Sequence, residues 1–284
     1  MPIASGGSVP APADPVRRAG GMRWADLRTR ALSAVALMLP TLFCLWYGAW
    51  WWAGLIAIAV AGLAIEWVAL CGCRPASPAG VAIPALVLAA EAAAVLHLEL
   101  PGLGLLAAGF LLVWWLARRP SLAAGIPYLG VAALALYWLR GDGEAGRANM
   151  LFVLLVVWAS DIGAYAAGRL IGGPKLAPRV SPSKTWAGAA GGLLAAMAVG
   201  AATAEALHGG SLVRILPIAA GVGIAAQLGD LLESAVKRHY GVKDSGRLIP
   251  GHGGLLDRLD GLLTAAPAAA AVAIVAGHGL VLWQ

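Results

Sequence analysis

The stretch KDSGRLIPGHGGLLDRLDG, from Lys243 to Gly261, combines three aspartates, three basic side chains, a histidine and five glycines. Asp257 and Asp260 are three residues apart, so they lie on one side of a helix. Together with Asp230 of the preceding apolar segment, they offer the hard oxygen atoms that Mg²⁺ takes alongside substrate phosphates. The glycines permit the backbone to approach a ligand closely. These residue types indicate metal-assisted phosphoryl or nucleotidyl transfer, in which positioning and electrostatics supply most of the catalysis.

A second polar stretch, GGPKLAPRVSPSKTWAG, runs from Gly172 to Gly188. It offers three basic side chains and three hydroxyl groups, those of Lys175, Arg179, Lys184, Ser181, Ser183 and Thr185. Such donors, followed by the start of a helix, suit a phosphate chain. No glycine precedes Lys184 at the spacing of a Walker A loop. The same residues are equally typical of a plain basic loop beside a membrane, so the stretch alone leaves both interpretations open.

The composition of the chain as a whole indicates a membrane protein. Of the 284 residues, 60% are hydrophobic and only 12% are charged, and the mean hydropathy is +0.80. A soluble domain has about 25% charged residues. We therefore attribute the net charge of +6 to membrane topology and anionic ligands or lipids rather than to nucleic-acid binding. The three cysteines, Cys44, Cys71 and Cys73, lack the spacing of a metal site and are expected to pack as apolar side chains.

Nine apolar segments approach the roughly 20 helical residues that a bilayer requires. They are 31–48, 51–71, 79–97, 102–117, 123–140, 149–171, 186–206, 212–234 and 260–283. With the N-terminus inside, only Arg140, Arg147 and Arg214 of the 20 Lys and Arg residues fall on the outer side. This asymmetry agrees with the positive-inside rule. We predict an all-α, polytopic integral membrane protein with about nine transmembrane helices and a polar cavity that faces the cytoplasm.

The basic residues also suggest how the chain is divided. Residues 1–30 read as a disordered basic tail, 31–148 as a membrane scaffold of about five helices, and 149–284 as a catalytic membrane domain of about four helices. Two cytoplasmic loops of the last part, about 169–185 and 235–259, hold nine of the 17 inner basic residues. We expect these two loops to carry the function.

Acidic residues at membrane depth are costly and are functional candidates by default. There are five of them: Glu66, Glu91, Asp161, Asp230 and Glu233. Asp161 shares a helical face with Tyr165 and Gly168, so it either lines a polar cavity or bonds to a neighbouring helix. For Glu66 and Glu91 we expect packing or an interhelical hydrogen bond.

A polar face is also predicted on the eighth apolar segment. Gln227, Asp230, Ser234 and Lys237 follow one another at i, i+3, i+7 and i+10, which places them on one side of a helix. A helix end with snorkelling side chains would explain Lys237 and Arg238 but not the polar residues deeper in the segment. The pattern favours a wet crevice that descends from the inner surface.

The run SAVKRHYGVKDSGRLIPGHGGLLDRLD, Ser234 to Asp260, closely resembles the signature of the phosphatidate cytidylyltransferases, also called CDP-diacylglycerol synthases. The stretches QLGDLLES and SPSKTWAG are similar to further motifs of that family, and the resemblance is strong from about residue 150 to 284. It implies a helical membrane enzyme of phospholipid biosynthesis, often dimeric. Such an enzyme condenses CTP with phosphatidic acid and releases CDP-diacylglycerol and pyrophosphate.

The resemblance also implies roles for individual residues. The metal-binding acids of the family correspond to Asp230 and Asp257, with Mg²⁺ as the cofactor and a second cation as an option. The expected catalytic residues are Asp230, Asp257, Asp260, Lys237, Lys243 and Asp244. The expected substrate-binding residues are Lys184, Ser181, Thr185, Arg238, Arg247, His252, Gly253, Gly254, Arg258, Asp161, Gln227 and Ser234.

The expected partners are CTP, phosphatidic acid and membrane lipid, without nucleic acid and with a homodimer as one assembly. The expected location is the inner (plasma) membrane of a bacterium, with several spans and a cytoplasmic N-terminus. Two alternatives remain. One is another CTP-dependent lipid enzyme, such as a dolichol kinase or an archaeal-lipid cytidylyltransferase. The other is an anion transporter, which the gathering of polar residues at one surface disfavours.

Overall fold

A computed structural model of the protein describes residues 24–141, 143–207, 209–246, 253–276 and 281–283. Within these residues the chain forms ten α-helices and one two-stranded hairpin. The elements are α1 (Trp24–Tyr47), α2 (Ala49–Leu70), α3 (Pro78–Val95), α4 (Glu99–Ala117), α5 (Pro120–Ala123), α6 (Gly125–Arg140), α7 (Gly143–Leu170), β1 (Lys175–Ala177), β2 (Ser181–Thr185), α8 (Trp186–Leu207), α9 (Leu212–His239) and α10 (Leu256–Ala276).

The helices confirm the all-α, polytopic class that the apolar segments predict. Among the described residues, eight helical spans are long and apolar enough to cross a bilayer, with α5 and α6 counted together as Pro120–Arg140. The remaining predicted segment, 31–48, falls on α1, of which Val35–Tyr47 is a shorter apolar helix among the described residues. The count of nine is therefore approximate.

Two elements begin or fold differently from the sequence-based prediction. The last span, predicted over 260–283, begins at Leu256 and ends at Ala276. Its polar first turn is accommodated because it lies at a polar cavity rather than in lipid. The connection predicted as a loop over about 169–185 contains an antiparallel hairpin, in which Lys175 pairs with Thr185. Backbone hydrogen bonds of the hairpin hold side chains that a flexible loop would leave free to move.

Small residues let α7 and α8 approach closely along their length. A Cβ atom added to Gly163 of α7 would lie 2.5 Å from Ala195 Cβ and 2.7 Å from the carbonyl oxygen of Gly191. Lipid offers little hydrophobic drive for helix association, so close packing of small residues becomes a main source of attraction. This contact fixes the cavity-facing side of α7 against the start of α8.

The last helix joins the two parts of the chain. α10 packs most extensively against α9 and α6, and it also contacts α2 and α7. α10 therefore packs on helices of both predicted parts, the scaffold at 31–148 and the catalytic part at 149–284. The division into these two parts stays a prediction.

Arg140 has a structural role at the end of the helix bundle opposite the cavity. Arg140 is buried, and its guanidinium donates to the carbonyl oxygens of Leu45 at 2.5 Å and Trp46 at 3.2 Å, near the end of α1. A cation at a helix C-terminus satisfies carbonyls that lack an intrahelical partner. This local role gives a physical reason for a basic residue on the predicted outer side.

The described end of the chain is also fixed at this opposite end. The Trp283 ring lies 4.8 Å from the Phe152 ring, and its Nε1 donates to the carbonyl oxygen of Gly209 at 3.0 Å. The backbone nitrogen of Leu282 donates to Asn149 Oδ1 at 2.8 Å. These contacts hold the last described residues against α7 and the turn between α8 and α9.

Candidate active site

A cavity of about 500 Å³ lies where α7 and α9 end and where α8 and α10 begin, beside the hairpin. Its lining carries five carboxylates and four basic side chains: Asp161, Asp230, Glu233, Asp257, Asp260, Arg169, Lys184, Lys237 and Arg258. Asp161 and Asp230 each lie nine residues before the end of their helix, which is about 14 Å below it. Polar groups therefore extend well into the depth of the bundle.

The cavity-facing side of α7 carries the residues that its periodicity predicts. Asp161, Tyr165 and Gly168 all line the cavity. The hydroxyl of Tyr165 accepts a hydrogen bond from Arg169 Nη1 at 3.4 Å. Asp161 is exposed and lines the same cavity as Asp230, so the two carboxylates belong to one polar space.

The predicted polar face of α9 turns toward the same cavity. Gln227, Asp230 and Lys237 line it, and the hydroxyl of Ser234 donates to Asp230 Oδ1 at 3.5 Å. Gln227 Nε2 donates to Ser160 Oγ at 3.3 Å and to the carbonyl oxygen of Ala189 at 3.1 Å, so it joins α9 to α7 and α8. Part of this face therefore holds the cavity walls together.

Three carboxylates gather at the crossing of α9 and α10. Oxygen atoms of Asp230, Glu233 and Asp260 lie within 4.8 Å of one another. The helices cross tightly here because Gly229 has no side chain: an added Cβ would lie 2.5 Å from the carbonyl oxygen of Asp260. Glu233 is 1% exposed, and its Oε1 has no hydrogen-bond partner among the described residues.

This arrangement fits a divalent cation. Three carboxylate side chains converge, and the buried Oε1 of Glu233 has no hydrogen-bond partner among the described residues, so it is available to a cation. Hard cations such as Mg²⁺ prefer carboxylate oxygens. The sequence placed Asp230 and Asp260 in the predicted site and counted Glu233 only among the acids at membrane depth, without a specific role. Its i+3 spacing from Asp230 is the signal that would have included it.

Asp257 lies next to this cluster and is already bonded on both oxygens. Its Oδ1 accepts from Lys237 Nζ at 2.6 Å. Its Oδ2 accepts from the backbone nitrogens of Ser245 at 3.0 Å and Gly254 at 2.9 Å, and from Ser245 Oγ at 3.0 Å. Lys237 Nζ also lies 2.8 Å from Glu233 Oε2. In this geometry Asp257 anchors Lys237 and the loop before α10. Metal ligation by Asp257 stays a prediction.

The hairpin supplies one lysine to the carboxylate cluster. Lys184 Nζ of β2 lies 2.5 Å from Asp230 Oδ2. The next residue, Thr185, accepts the backbone N–H of Gly188 at 3.0 Å and so caps the start of α8. Arg238 donates to the carbonyl oxygens of Val180 at 3.3 Å and Val242 at 3.0 Å, so it holds the hairpin against the end of α9.

The remaining predicted site residues are divided between the cavity and its surroundings. Arg258 lines the cavity. Ser181 is buried at the start of β2, and Lys243 and Asp244 are exposed in the loop after α9. Gly253 and Gly254 lie beside Asp257, where an added Cβ on Gly253 would be 3.0 Å from Asp257 Oδ2. Arg247 and His252 lie outside the described residues.

The end of α9 is fastened to α5 through a phenol. Tyr240 lies 2.5 Å from Ser121, hydroxyl oxygen to hydroxyl oxygen. Burial raises the pKa of the Tyr240 phenol, so the group stays neutral at physiological pH. This contact holds the first residues of the loop that leads to α10.

Comparisons with known proteins find a family and relatives that match most of the chain. The model of the Cytidylyltransferase family matches residues 28–276. The phosphatidate cytidylyltransferases of Brucella suis and Brucella abortus are each 43% identical over 254 residues, which cover 85% of this chain and 91% of theirs. The phosphatidate cytidylyltransferase of Staphylococcus saprophyticus is 44% identical over 143 residues, 50% of this chain and 54% of that protein.

Proposed function

The chain belongs to the cytidylyltransferase family, and we propose that it is a phosphatidate cytidylyltransferase of a bacterial membrane. The enzyme would condense CTP with phosphatidate to CDP-diacylglycerol and pyrophosphate. The observation that carries this proposal is the carboxylate cluster of Asp230, Glu233 and Asp260, flanked by Lys184 and Lys237 inside a cavity between membrane helices. A lipid phosphate and a nucleotide triphosphate can meet there while the acyl chains stay in lipid.

The cluster is the part of the cavity that we propose for a metal. Asp230, Glu233 and Asp260 would hold Mg²⁺, and Asp257 would stabilise the site through Lys237. When bound, the cation would neutralise and orient the triphosphate of CTP. A second cation and direct ligation by Asp257 remain part of the prediction from family resemblance.

The basic side chains have a direct role in the proposed reaction. Lys184, Lys237 and Arg258 line the cavity, where they would bind the phosphates of CTP and phosphatidate. A phosphomonoester oxygen of phosphatidate forms the new bond to the α-phosphorus of CTP. The bond from that phosphorus to the pyrophosphate oxygen breaks. Because the attacking phosphate is already anionic near neutral pH, the chain need not supply a strong general base.

We further propose that the cavity end of the bundle faces the cytoplasm, with the N-terminus on the same side. The excess of Lys and Arg in the connections at that end supports this orientation. CTP is a cytoplasmic nucleotide, so the substrates could then meet at the inner leaflet. Assembly as a homodimer remains a prediction.

The deciding experiment is a product assay on detergent-solubilised protein. Incubation with CTP, phosphatidate and Mg²⁺ should yield equal amounts of CDP-diacylglycerol and pyrophosphate. A CTP-dependent lipid kinase would release CDP in place of pyrophosphate, and a lipid other than phosphatidate would then compete best. Anion flux in proteoliposomes without consumption of CTP would contradict the proposal and favour a transporter.

A further inference from the structure

Glu66 of α2 lies at the start of α10, although the two are far apart in the chain. Its side chain is 3% exposed. Oε1 accepts the backbone N–H of Leu255 at 2.9 Å, and Oε2 accepts the backbone N–H of Leu256 at 2.8 Å. Oε2 also accepts the hydroxyl of Ser245 at 3.4 Å. One carboxylate from the predicted scaffold therefore binds both the first residues of α10 and the loop before it.

These contacts meet a physical need of the helix. The first N–H groups of a helix have no intrahelical acceptor, and the positive end of its dipole favours a negative charge. A glutamate within a membrane span is costly unless it has partners. The backbone donors of α10 and the Ser245 hydroxyl provide those partners, which explains how Glu66 is accommodated.

The loop glycines leave space for this carboxylate. A Cβ atom added to Gly246 would lie 2.6 Å from Glu66 Oε1, and one added to Gly254 would lie 2.8 Å from Glu66 Oε2. Two separate parts of the loop thus pack directly on the same side chain. The motif glycines serve this close approach to Glu66 as well as any approach to a ligand.

The contacts continue from Glu66 to the cavity in a few steps. Ser245 Oγ lies 3.4 Å from Glu66 Oε2 and 3.0 Å from Asp257 Oδ2. Asp257 pairs with Lys237, which in turn pairs with Glu233 of the carboxylate cluster. A shift of the start of α10 would therefore move Asp257 and release Lys237 from its position between two carboxylates.

We propose that Glu66 is a positioning residue for the cavity: by binding the start of α10 and Ser245, it sets the position of Asp257 and Lys237. The proposal rests on the proposed function, in that its kinetic test uses cytidylyl transfer. It gives the amino-terminal part of the chain a specific part in the chemistry. Glu66 acts through other residues and does not touch the substrates.

The test compares Glu66→Gln with Glu91→Gln. Glu91 is also 3% exposed in a neighbouring span, but its carboxylate has no hydrogen-bond partner among the described residues. In Glu66→Gln an amide N–H group replaces one of the two acceptor oxygens. That group cannot accept a hydrogen bond from a backbone N–H of α10. We expect kcat to fall by about 10–100-fold in Glu66→Gln, the usual effect of losing an outer partner of a site. Glu91→Gln should leave kcat unchanged.

A second measurement does not depend on turnover. Hydrogen exchange at the amides of Leu255 and Leu256 should accelerate in Glu66→Gln and not in Glu91→Gln, while exchange along α7 and α8 stays as in the wild type. Glu66→Asp keeps the charge but is shorter by one methylene group. Its kcat and amide protection should lie between those of the wild type and Glu66→Gln.

If Glu66→Gln does not fold, Gly246→Ala tests the same contact from the loop side. Its added methyl group should push the loop off Glu66, lower kcat and accelerate the same amides. Unchanged exchange at Leu255 and Leu256 in Glu66→Gln, or an equal loss of kcat in Glu91→Gln, would overturn the proposal. An inactive wild-type protein would instead contradict the proposed function, and the exchange comparison would still decide whether Glu66 holds α10.

Discussion

Lys237 and Asp257 form an ion pair of 2.6 Å that joins the end of α9 to the first turn of α10. The same ammonium group lies 2.8 Å from Glu233, so one cation serves two carboxylates. Both side chains of the pair are largely buried, at 12% and 10% exposed. This relationship couples the carboxylate cluster to the loop that precedes α10.

Replacement of Lys237 should therefore disturb the cavity strongly. In Lys237→Met, Glu233 and Asp257 would lose their shared cation and repel each other. We expect kcat to fall by about 10²–10³-fold, as for removal of a preorganised donor from an active site, and Tm to fall as well. Lys175→Met is the control, because Lys175 is exposed on β1. A kcat near that of the wild type in Lys237→Met would contradict this role.

Variants of the carboxylates should differ in the Mg²⁺ concentration that half-maximal activity requires. If the cluster holds Mg²⁺, Asp260→Asn should raise the Mg²⁺ concentration for half-maximal activity by about tenfold or more, a loss of at least ~1.4 kcal/mol. Asp257→Asn should lower kcat with little change in that concentration, because Asp257 is bonded to Lys237 and the loop. The measurement is a Mg²⁺ titration of activity. A larger shift in Asp257→Asn would show instead that Asp257 is a ligand.

Lys184 provides a test of nucleotide binding. It is paired with Asp230 and lines the cavity, where it would bind a phosphate of CTP. Loss of a hydrogen bond to a charged group costs about 1.5–3 kcal/mol, so Lys184→Met should raise the KM for CTP by about 10–100-fold. Steady-state kinetics at saturating phosphatidate measures this change. Lys175→Met again serves as the control, and an unchanged KM would remove Lys184 from the proposed binding site.

The crossing of α9 and α10 can be tested with two glycines of the same helix. In Gly229→Ala the new methyl group would meet Thr264 and the backbone of Asp260. Such overpacking costs about 1–3 kcal/mol, so Tm and activity should both fall. Gly221→Ala is the matched control, since an added Cβ there meets nothing within 4 Å. Equal thermal stability of the two variants would contradict a tight crossing at Gly229.

Several features of the site follow from local pattern. The positions of Asp161 and Tyr165 on one face of α7, and of Gln227 and Asp230 on one face of α9, depend only on helical periodicity. The span boundaries were less predictable. The first two turns of α10 contain two aspartates and an arginine, so hydropathy placed the start of the helix four residues too late.

The amino-acid sequence was enough to identify a helical membrane protein, because long apolar segments leave the backbone few other ways to satisfy its hydrogen bonds in lipid. Its motifs also indicated the chemistry of the polar end. The packing of the helices was needed to show that Glu233 and Asp230 meet Asp260, and that Glu66 binds an amide 189 residues away. The i+3 spacing places Glu233 beside Asp230 on α9, but the meeting with Asp260 depends on where α9 and α10 cross. The contact of Glu66 depends on which backbone donors its carboxylate meets. Neither of these two is encoded in local spacing.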